Sequence, residues 1–272
     1  MPELPEIYNL AKQMSIELEG KTIASVDIKQ EKCLNMPPDD FATRVKGKAI
    51  VRITPKGKWV ILSMESDTLL LLSLGMGGDV LYHQAGDISP EKYQLKLAFT
   101  DGTFLSIRFW WFGYAHAITT EEQAHHKMTA SLGVSPLDDR EFTQDRLRNI
   151  AKGSKKTVKA ILLDQKIIAG IGNVYIQDIL FKARLHPDRK AHRLSNAEIE
   201  ALHRAIVGNL ESAVSLCGLK YEKDLYGRPG GLGQEQFMVG YKEGQPCPCC
   251  GTTIEKIKTG STSSYICPKC QI

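Results

Sequence analysis

The last 26 residues of this 272-residue chain hold five of its seven cysteines, four of them as two C-x-x-C pairs. The pairs are Cys247-Pro248-Cys249-Cys250 and Cys267-Pro268-Lys269-Cys270, with sixteen residues between them. Each C-x-x-C stretch forms a tight turn presenting two thiolates, and two such turns complete a tetrahedral zinc site. Cys249 leaves the register of the first pair open, although 247 with 250 mirrors 267 with 270. Thr252-Thr253-Ile254 and Ser263-Ser264-Tyr265-Ile266 supply strands for the intervening hairpin. Four protein ligands leave no open position, so the expected ion, one Zn2+, is structural. Clustered thiols of this kind suit a reducing compartment better than a disulfide scaffold.

A net charge of +4 conceals a division. Residues 1–139 carry 14 Lys+Arg and 18 Asp+Glu, whereas residues 140–272 carry 21 and 13, so a −4 half precedes a +8 half. A basic half of this size points to a polyanionic partner, most often nucleic acid. With 42% hydrophobic and 24% charged residues, the chain is not wholly disordered. Its longest apolar run, Leu69 to Leu72, is far too short to span a bilayer. The opening Met1-Pro2-Glu3-Leu4-Pro5-Glu6 is acidic where a secretory leader is basic, so an intracellular, cytoplasmic protein is expected.

Helical spacing of Ile7, Leu10, Ala11, Met14 and Leu18, stopped by Gly20, predicts one amphipathic helix. Segments 22–30, 49–54, 59–65, 68–83 and 93–118 are β-rich, and Asp101-Gly102 signals a hairpin. The expected layout is a helix plus antiparallel β-sandwich over 1–120, a linker over 121–139, and a helical domain over 140–235. A zinc hairpin over 236–272 completes the layout. Ser195-Asn196-Ala197-Glu198 is a capping-box pattern opening a helix. Glycine-rich 220–235 reads as a flexible loop, either a linker or a lid. Leu162 to Tyr175 reads as helix, glycine turn (Gly170-Ile171-Gly172), then a helix capped by Asn173. Free N–H groups at such a helix start favour phosphate.

Taken together, these motifs resemble the formamidopyrimidine-DNA glycosylase and endonuclease VIII family of base-excision repair enzymes. The resemblance rests on Pro2-Glu3-Leu4-Pro5-Glu6, Gly57-Lys58, Leu74-Gly75-Met76, Phe112-Gly113, Leu163-Asp164-Gln165, Gly170-Ile171-Gly172-Asn173 and the terminal cysteines. It implies an α+β multidomain fold: the N-terminal helix and sandwich, a helix–two-turns–helix domain and a zinc-finger hairpin, with damaged double-stranded DNA between the domains. It also implies a monomer with glycosylase and abasic-site lyase activities. Once Met1 is removed, Pro2 would present a secondary amine that attacks the sugar C1′ and forms an iminium. Glu3 would act as general acid/base, Glu6 would orient the amine or a water, and Lys58 would meet the phosphate beside the lesion. Gly172 and Asn173 would grip phosphate, and Met76 and Phe112 would fill the gap left by the flipped nucleotide.

Four positions depart from the family pattern. Trp111 falls where the resemblance places an arginine that reads the opposite cytosine, and tryptophan cannot copy a guanidinium fork. Thr262 falls where the zinc hairpin carries a phosphate-binding arginine, a loss that Lys242, Lys256 or Lys258 would have to offset. Asp178 shortens a usual glutamate, and Ser73 replaces a common histidine. These departures spare the nucleophile and fit an oxidised-pyrimidine or broad-specificity enzyme better than a strict 8-oxoguanine enzyme. A damaged-DNA-binding paralogue without catalysis is the alternative they leave open, and a zinc-dependent hydrolase is the weakest.

Overall fold

The computed structural model describes residues 1–272, and its contacts divide the chain into two compact units. The first comprises Met1–Ser131 with Cys217–Gly231, the second Leu132–Leu216 with Leu232–Ile272.

In the first unit, α1 (Leu4–Leu18) buries the predicted stripe of Ile7, Leu10, Ala11, Met14 and Leu18. Full burial of a side chain such as Met14 or Leu18 contributes about 1.5–3 kcal/mol. Next come β1 (Ile23–Ile28), α2 (Pro38–Val45), β2 (Ile50–Lys56), β3 (Trp59–Met64) and β4 (Thr68–Ser73). β5 (Asp79–His83), β6 (Leu95–Phe99), β7 (Phe104–Arg108), β8 (Tyr114–Thr119) and α3 (Thr120–Gln123) follow. The strands form two antiparallel four-stranded sheets, ordered β1-β6-β7-β5 and β2-β3-β4-β8. Leu95, Leu97 and Phe99 alternate inward on β6, whereas β3 and β4 are buried almost throughout. Leu62, Leu70, Leu97, Leu105 and Ile107 join the α1 stripe in one core, the helix-plus-sandwich expected of 1–120. Asp101 closes the β6–β7 turn by accepting the Thr103 amide at 3.0 Å. The helix α2 was not anticipated.

The segment expected as a linker is partly folded. Thr119 and Glu122 form a reciprocal capping box for α3. His126 then reaches back to β8, its Nε2 2.8 Å from His116 Nδ1 and its own Nδ1 2.7 Å from the Thr129 hydroxyl. Burial, reinforced by His126, pushes His116 down to about 4. A histidine held neutral by the fold costs stability as soon as the unfolded chain takes up its proton. Stability should therefore be complete above the ordinary histidine value, about 6.5, and fall as pH drops toward 4. Melting temperature against pH should show this slope, and His116→Leu should flatten it; equal slopes in both proteins would rule the pair out as its source.

Residues 217–231, expected to divide between the helical domain and the glycine-rich loop, group with the first unit. Polar side chains of α1 hold them. Gln13 donates to Asp224 (3.0 Å) and accepts from the Leu225 amide (2.9 Å), and Tyr226 donates to Glu17 (2.7 Å). Leu225 is fully buried, and its carbonyl accepts the Tyr82 amide of β5 at 2.9 Å.

The second unit contains α4 (Gln144–Lys152), α5 (Val158–Leu163), α6 (Tyr175–Lys182) and α7 (Asn196–Ser215), then β9 (Glu255–Thr259) and β10 (Thr262–Ile266). Ser195 and Glu198 cap α7 reciprocally, as the sequence pattern predicts. The first strand of the terminal hairpin lies beyond the expected 252–254. The Thr252 carbonyl accepts from Cys247 N and the Ile254 amide donates to Gln245, so this stretch folds back onto its own cysteine turn. Asp178 on α6 accepts the amides of Met238, Val239 and Gly240 at 2.8, 3.0 and 3.1 Å, so the shorter carboxylate still anchors the approach to the hairpin. No helix is long and apolar enough to cross a membrane.

Candidate functional site

At the start of α1, Pro2, Glu3 and Glu6 are all buried. Proline at positions 2 and 5 and the turn of helix between the two acids fix this geometry. Glu6 Oε2 accepts the Glu3 amide at 2.8 Å and Oε1 accepts the Leu219 amide at 3.0 Å. Glu6 thus ties the N-terminus to the 217–231 segment and fixes the backbone that carries Pro2 and Glu3. Gly218 makes this approach possible: its φ is +82°, and a Cβ there would lie 2.6 Å from Glu6 Oε1. The amine of Met1 pairs with Glu222 at 3.2 Å, an acid that sequence reading did not single out.

Lys58 sits in the β2–β3 turn, half-buried, and its ammonium makes no hydrogen bond or ion pair in the protein. The ring of its neighbour Trp59 stacks on Tyr114 with centroids 6.1 Å apart, fixing the start of the strand that follows the lysine.

Met76 and Trp111 meet across an antiparallel bridge, the Met76 amide donating to the Trp111 carbonyl at 2.9 Å. Gly75 permits the contact, since a Cβ there would lie 1.9 Å from that carbonyl oxygen. Phe112 follows with φ +55°, a backbone conformation uncommon for a bulky residue and a recurrent mark of functional loops. Met76, Trp110, Trp111 and Phe112 are 46–70% exposed, unlike the core methionines and leucines. Sequence reading named three of these four; the Trp-Trp-Phe run was the available signal for Trp110. Arg108, the guanidinium nearest in sequence, pairs with Asp79 at 3.1 Å and lies 5.7 Å from the Trp110 ring centre. The loop tip therefore presents π faces and a thioether.

In the second unit, Gln165 shapes the glycine turn: its amide donates to the Leu163 and Ile171 carbonyls and accepts from Gly170 N at 2.8 Å. Gly172 is buried in that turn. Asn173 does not cap the next helix as expected, because α6 begins at Tyr175 with Val174 as its N-cap. Instead Asn173 accepts from Gln177 through its carbonyl (2.8 Å) and its side-chain oxygen (3.3 Å), leaving its side-chain NH2 without a protein partner. Gln177 also accepts the Tyr265 amide at 3.0 Å, which couples the turn to β10.

Thr262 opens β10, and beneath this turn lies a cation the sequence reading missed. Lys159 is 3% exposed and donates to Thr259 Oγ1, Ser263 O and Ser264 Oγ, each at 2.8 Å. Burial lowers its ammonium to about 8. Lys242 donates to the Glu235 carbonyl at 3.1 Å and to the Phe237 carbonyl, so two of its three donors are occupied. Lys256 lies over the Tyr265 ring at 5.8 Å.

Sulfur atoms of Cys247, Cys250, Cys267 and Cys270 all lie within 4.8 Å of one another. Cys247–Cys270 is 3.8 Å, and Cys250 is 3.4 Å from both Cys267 and Cys270. Zn–S bonds of about 2.3 Å in a tetrahedron put sulfurs roughly 3.8 Å apart, so the four thiols fit a zinc ion. Exposed Cys249 lies outside the set, which settles the register.

One chain thus joins a helical unit carrying a four-cysteine hairpin to a helix-and-sandwich unit in which Pro2 is buried. Residues 1–109 match the formamidopyrimidine-DNA glycosylase N-terminal domain, 132–222 its H2TH domain, and 244–272 the zinc finger found in FPG and IleRS. Formamidopyrimidine-DNA glycosylases of Chloroflexus aurantiacus and Bacillus subtilis are 35% and 34% identical, covering all of this chain and 98% and 99% of theirs. Lactococcus lactis Fpg superposes with a TM-score of 0.88 at 28% identity over 99% of both chains. That protein was solved on DNA containing N7-benzyl-Fapy-dG and on DNA containing an oxidised pyrimidine. The chain belongs to the formamidopyrimidine-DNA glycosylase family.

Proposed function

We infer that this chain is a base-excision repair DNA glycosylase with abasic-site lyase activity, acting through the amine of Pro2. Its full-length kinship with the glycosylases carries this reading. The buried Pro2–Glu3 pair, with Glu6 bracing its backbone, supports the assignment of roles. Free of Met1, the Pro2 nitrogen attacks C1′ of the damaged nucleotide, and the glycosidic bond breaks with its electron pair leaving on the base. Glu3 supplies the proton the departing base takes up. Ring opening leaves an iminium, which acidifies the neighbouring sugar carbon and allows elimination of the phosphate ester. Lys58, unpaired in the protein, offers its charge to a phosphate, and the free NH2 of Asn173 offers a second contact with the buried Gly172 turn behind it. Zinc takes no chemical part: bound by four thiolates, it holds the hairpin that carries Thr262.

Specificity follows from the wedge loop. Met76, Trp111 and Phe112 are exposed and clustered, suited to filling the space a flipped nucleotide vacates. Stacking is tolerant of base identity because every base has a π face, and Arg108 is held by Asp79. Duplexes carrying one oxidised pyrimidine opposite each of the four bases should be cleaved at rates within about threefold of one another, whereas guanidinium readout of one partner discriminates by about 1–3 kcal/mol, roughly 5- to 150-fold. A strong preference for cytosine would overturn the broad-specificity reading while leaving the glycosylase assignment standing.

A further inference from the structure

Glu222 is the one acid at the N-terminus for which neither sequence pattern nor helix capping supplies a role. It is 8% exposed, and its carboxylate has a single partner in the protein, the Met1 amine at 3.2 Å. Removing Met1, as the Pro2 chemistry requires, deletes that partner. A buried carboxylate left alone is costly, so it must gain a proton or meet another cation. The cation at hand is the new terminus, since the Pro2 nitrogen lies within one residue's length, about 3.6 Å, of the old one.

The surrounding charges leave Glu222 to this task. Glu6 is engaged by the Glu3 and Leu219 amides. Lys223, next in sequence, lies 3.9 Å from Asp79 on β5, and Asp79 is also paired with Arg108. Lys220 flanks the acid on the other side, and Glu3 precedes α1 beside the nucleophile, but the charge that acts on the Glu222 carboxyl is that of the Met1 amine. The backbone around it is fixed: Glu222 N donates to Leu219 O at 2.9 Å and its carbonyl accepts from Gly230 at 3.2 Å. Burial raises the carboxyl above its ordinary value, which makes it a better proton acceptor than an exposed carboxylate.

We propose that Glu222 is the proton acceptor and counter-anion of the Pro2 nitrogen, a third carboxylate of the active site beside Glu3 and Glu6. In the resting processed enzyme it pairs with the Pro2 ammonium. The ammonium first releases one proton to solvent, which frees its lone pair; as the neutral nitrogen then bonds to C1′ and the glycosidic bond breaks, its remaining proton passes to Glu222. When the sugar ring opens, that proton passes to the departing ring oxygen, and the restored carboxylate faces the iminium. This inference rests on Pro2 being the nucleophile.

Processed wild type, Glu222→Gln and Glu222→Asp, each with loss of Met1 confirmed by mass, separate the possibilities. Two readouts should move in opposite directions in Glu222→Gln. Reductive methylation of the N-terminus by formaldehyde and cyanoborohydride at pH 6.5 should become about tenfold faster, because a lost anion lowers the amine pKa by a unit or more. The borohydride-trapped adduct with abasic-site DNA should form about 100-fold more slowly, the scale of a lost acid–base group. Glu222→Asp should recover part of both effects, and unchanged duplex binding would show that the variants are folded. An unchanged methylation rate in Glu222→Gln overturns the inference even if adduct formation falls. An absent wild-type adduct with the methylation change intact would instead defeat the assignment of Pro2 as nucleophile and the proton transfer built on it, leaving only the pairing.

Discussion

Retaining Met1 should reduce adduct formation on abasic-site DNA by at least about 100-fold, since the attacking atom loses both its lone pair and its position. While Met1 is present, the Pro2 nitrogen is a tertiary amide: it has no N–H to lose, and resonance draws its lone pair into the carbonyl. Release converts it to an α-amine, whose reference pKa near 7.7–8.0, before any neighbouring charge acts, leaves roughly a third unprotonated at pH 7.5, against about 0.1% of an ordinary lysine. An N-terminal extension that blocks processing should leave folding and DNA binding intact while trapping disappears. Pro2→Gly, which keeps a primary amine without the pyrrolidine ring, should retain a small residue of lyase activity and lose most glycosylase activity. Full activity in the blocked protein would move the nucleophile elsewhere.

Removing zinc should be the other large effect. The apolar cluster around the hairpin contains only Phe181, Val239 and Ile254 as buried non-cysteine residues, with Cys247 and Cys267 completing it. So small a core cannot hold a two-stranded hairpin alone. Structural zinc sites supply about 10–16 kcal/mol of apparent binding free energy, which becomes folding free energy for the segment they close. Chelation, or Cys250→Ser, should therefore release β9 and β10, free Lys159 from its hydroxyl and carbonyl partners, and weaken DNA binding by an order of magnitude or more. Metal analysis should find one zinc per chain. Hydrogen exchange should show lost protection over residues 244–272, while the first unit keeps its own. Protection retained in the metal-free protein would show that the hairpin stands without zinc.

What the sequence revealed is local. The α1 stripe, the Asp101-Gly102 turn, the Ser195 cap and the cysteine spacing each involve residues a few positions apart, where backbone geometry alone dictates pattern. Cys249 was ambiguous because two registers satisfy the spacing; only the sulfur positions decide between them. The missed residues act over distance. Glu222 meets an amine 221 positions away, Gln13 holds Asp224, and Lys159 supports a hairpin about a hundred residues later. Each is a buried or half-buried polar group whose partner is chosen by tertiary contact, and no local pattern encodes that choice. The glycine-rich stretch after Cys217 misled for a related reason: its composition suits a loop, but side chains of α1 fix it. Asp178 looked like a weakened family position, yet it satisfies three amides because the chain at Met238–Gly240 comes close enough.

Peptide mapping of the trapped complex shows which nitrogen of the protein carries the chemistry. Processed protein should be reduced with borohydride on a duplex bearing one abasic site, digested, and the sugar remnant located by mass spectrometry. The remnant should lie on the peptide beginning Pro2-Glu3-Leu4, attached at the Pro2 nitrogen. A remnant on Lys58, on Lys159 or on any other lysine, with Pro2 unmodified, would contradict it.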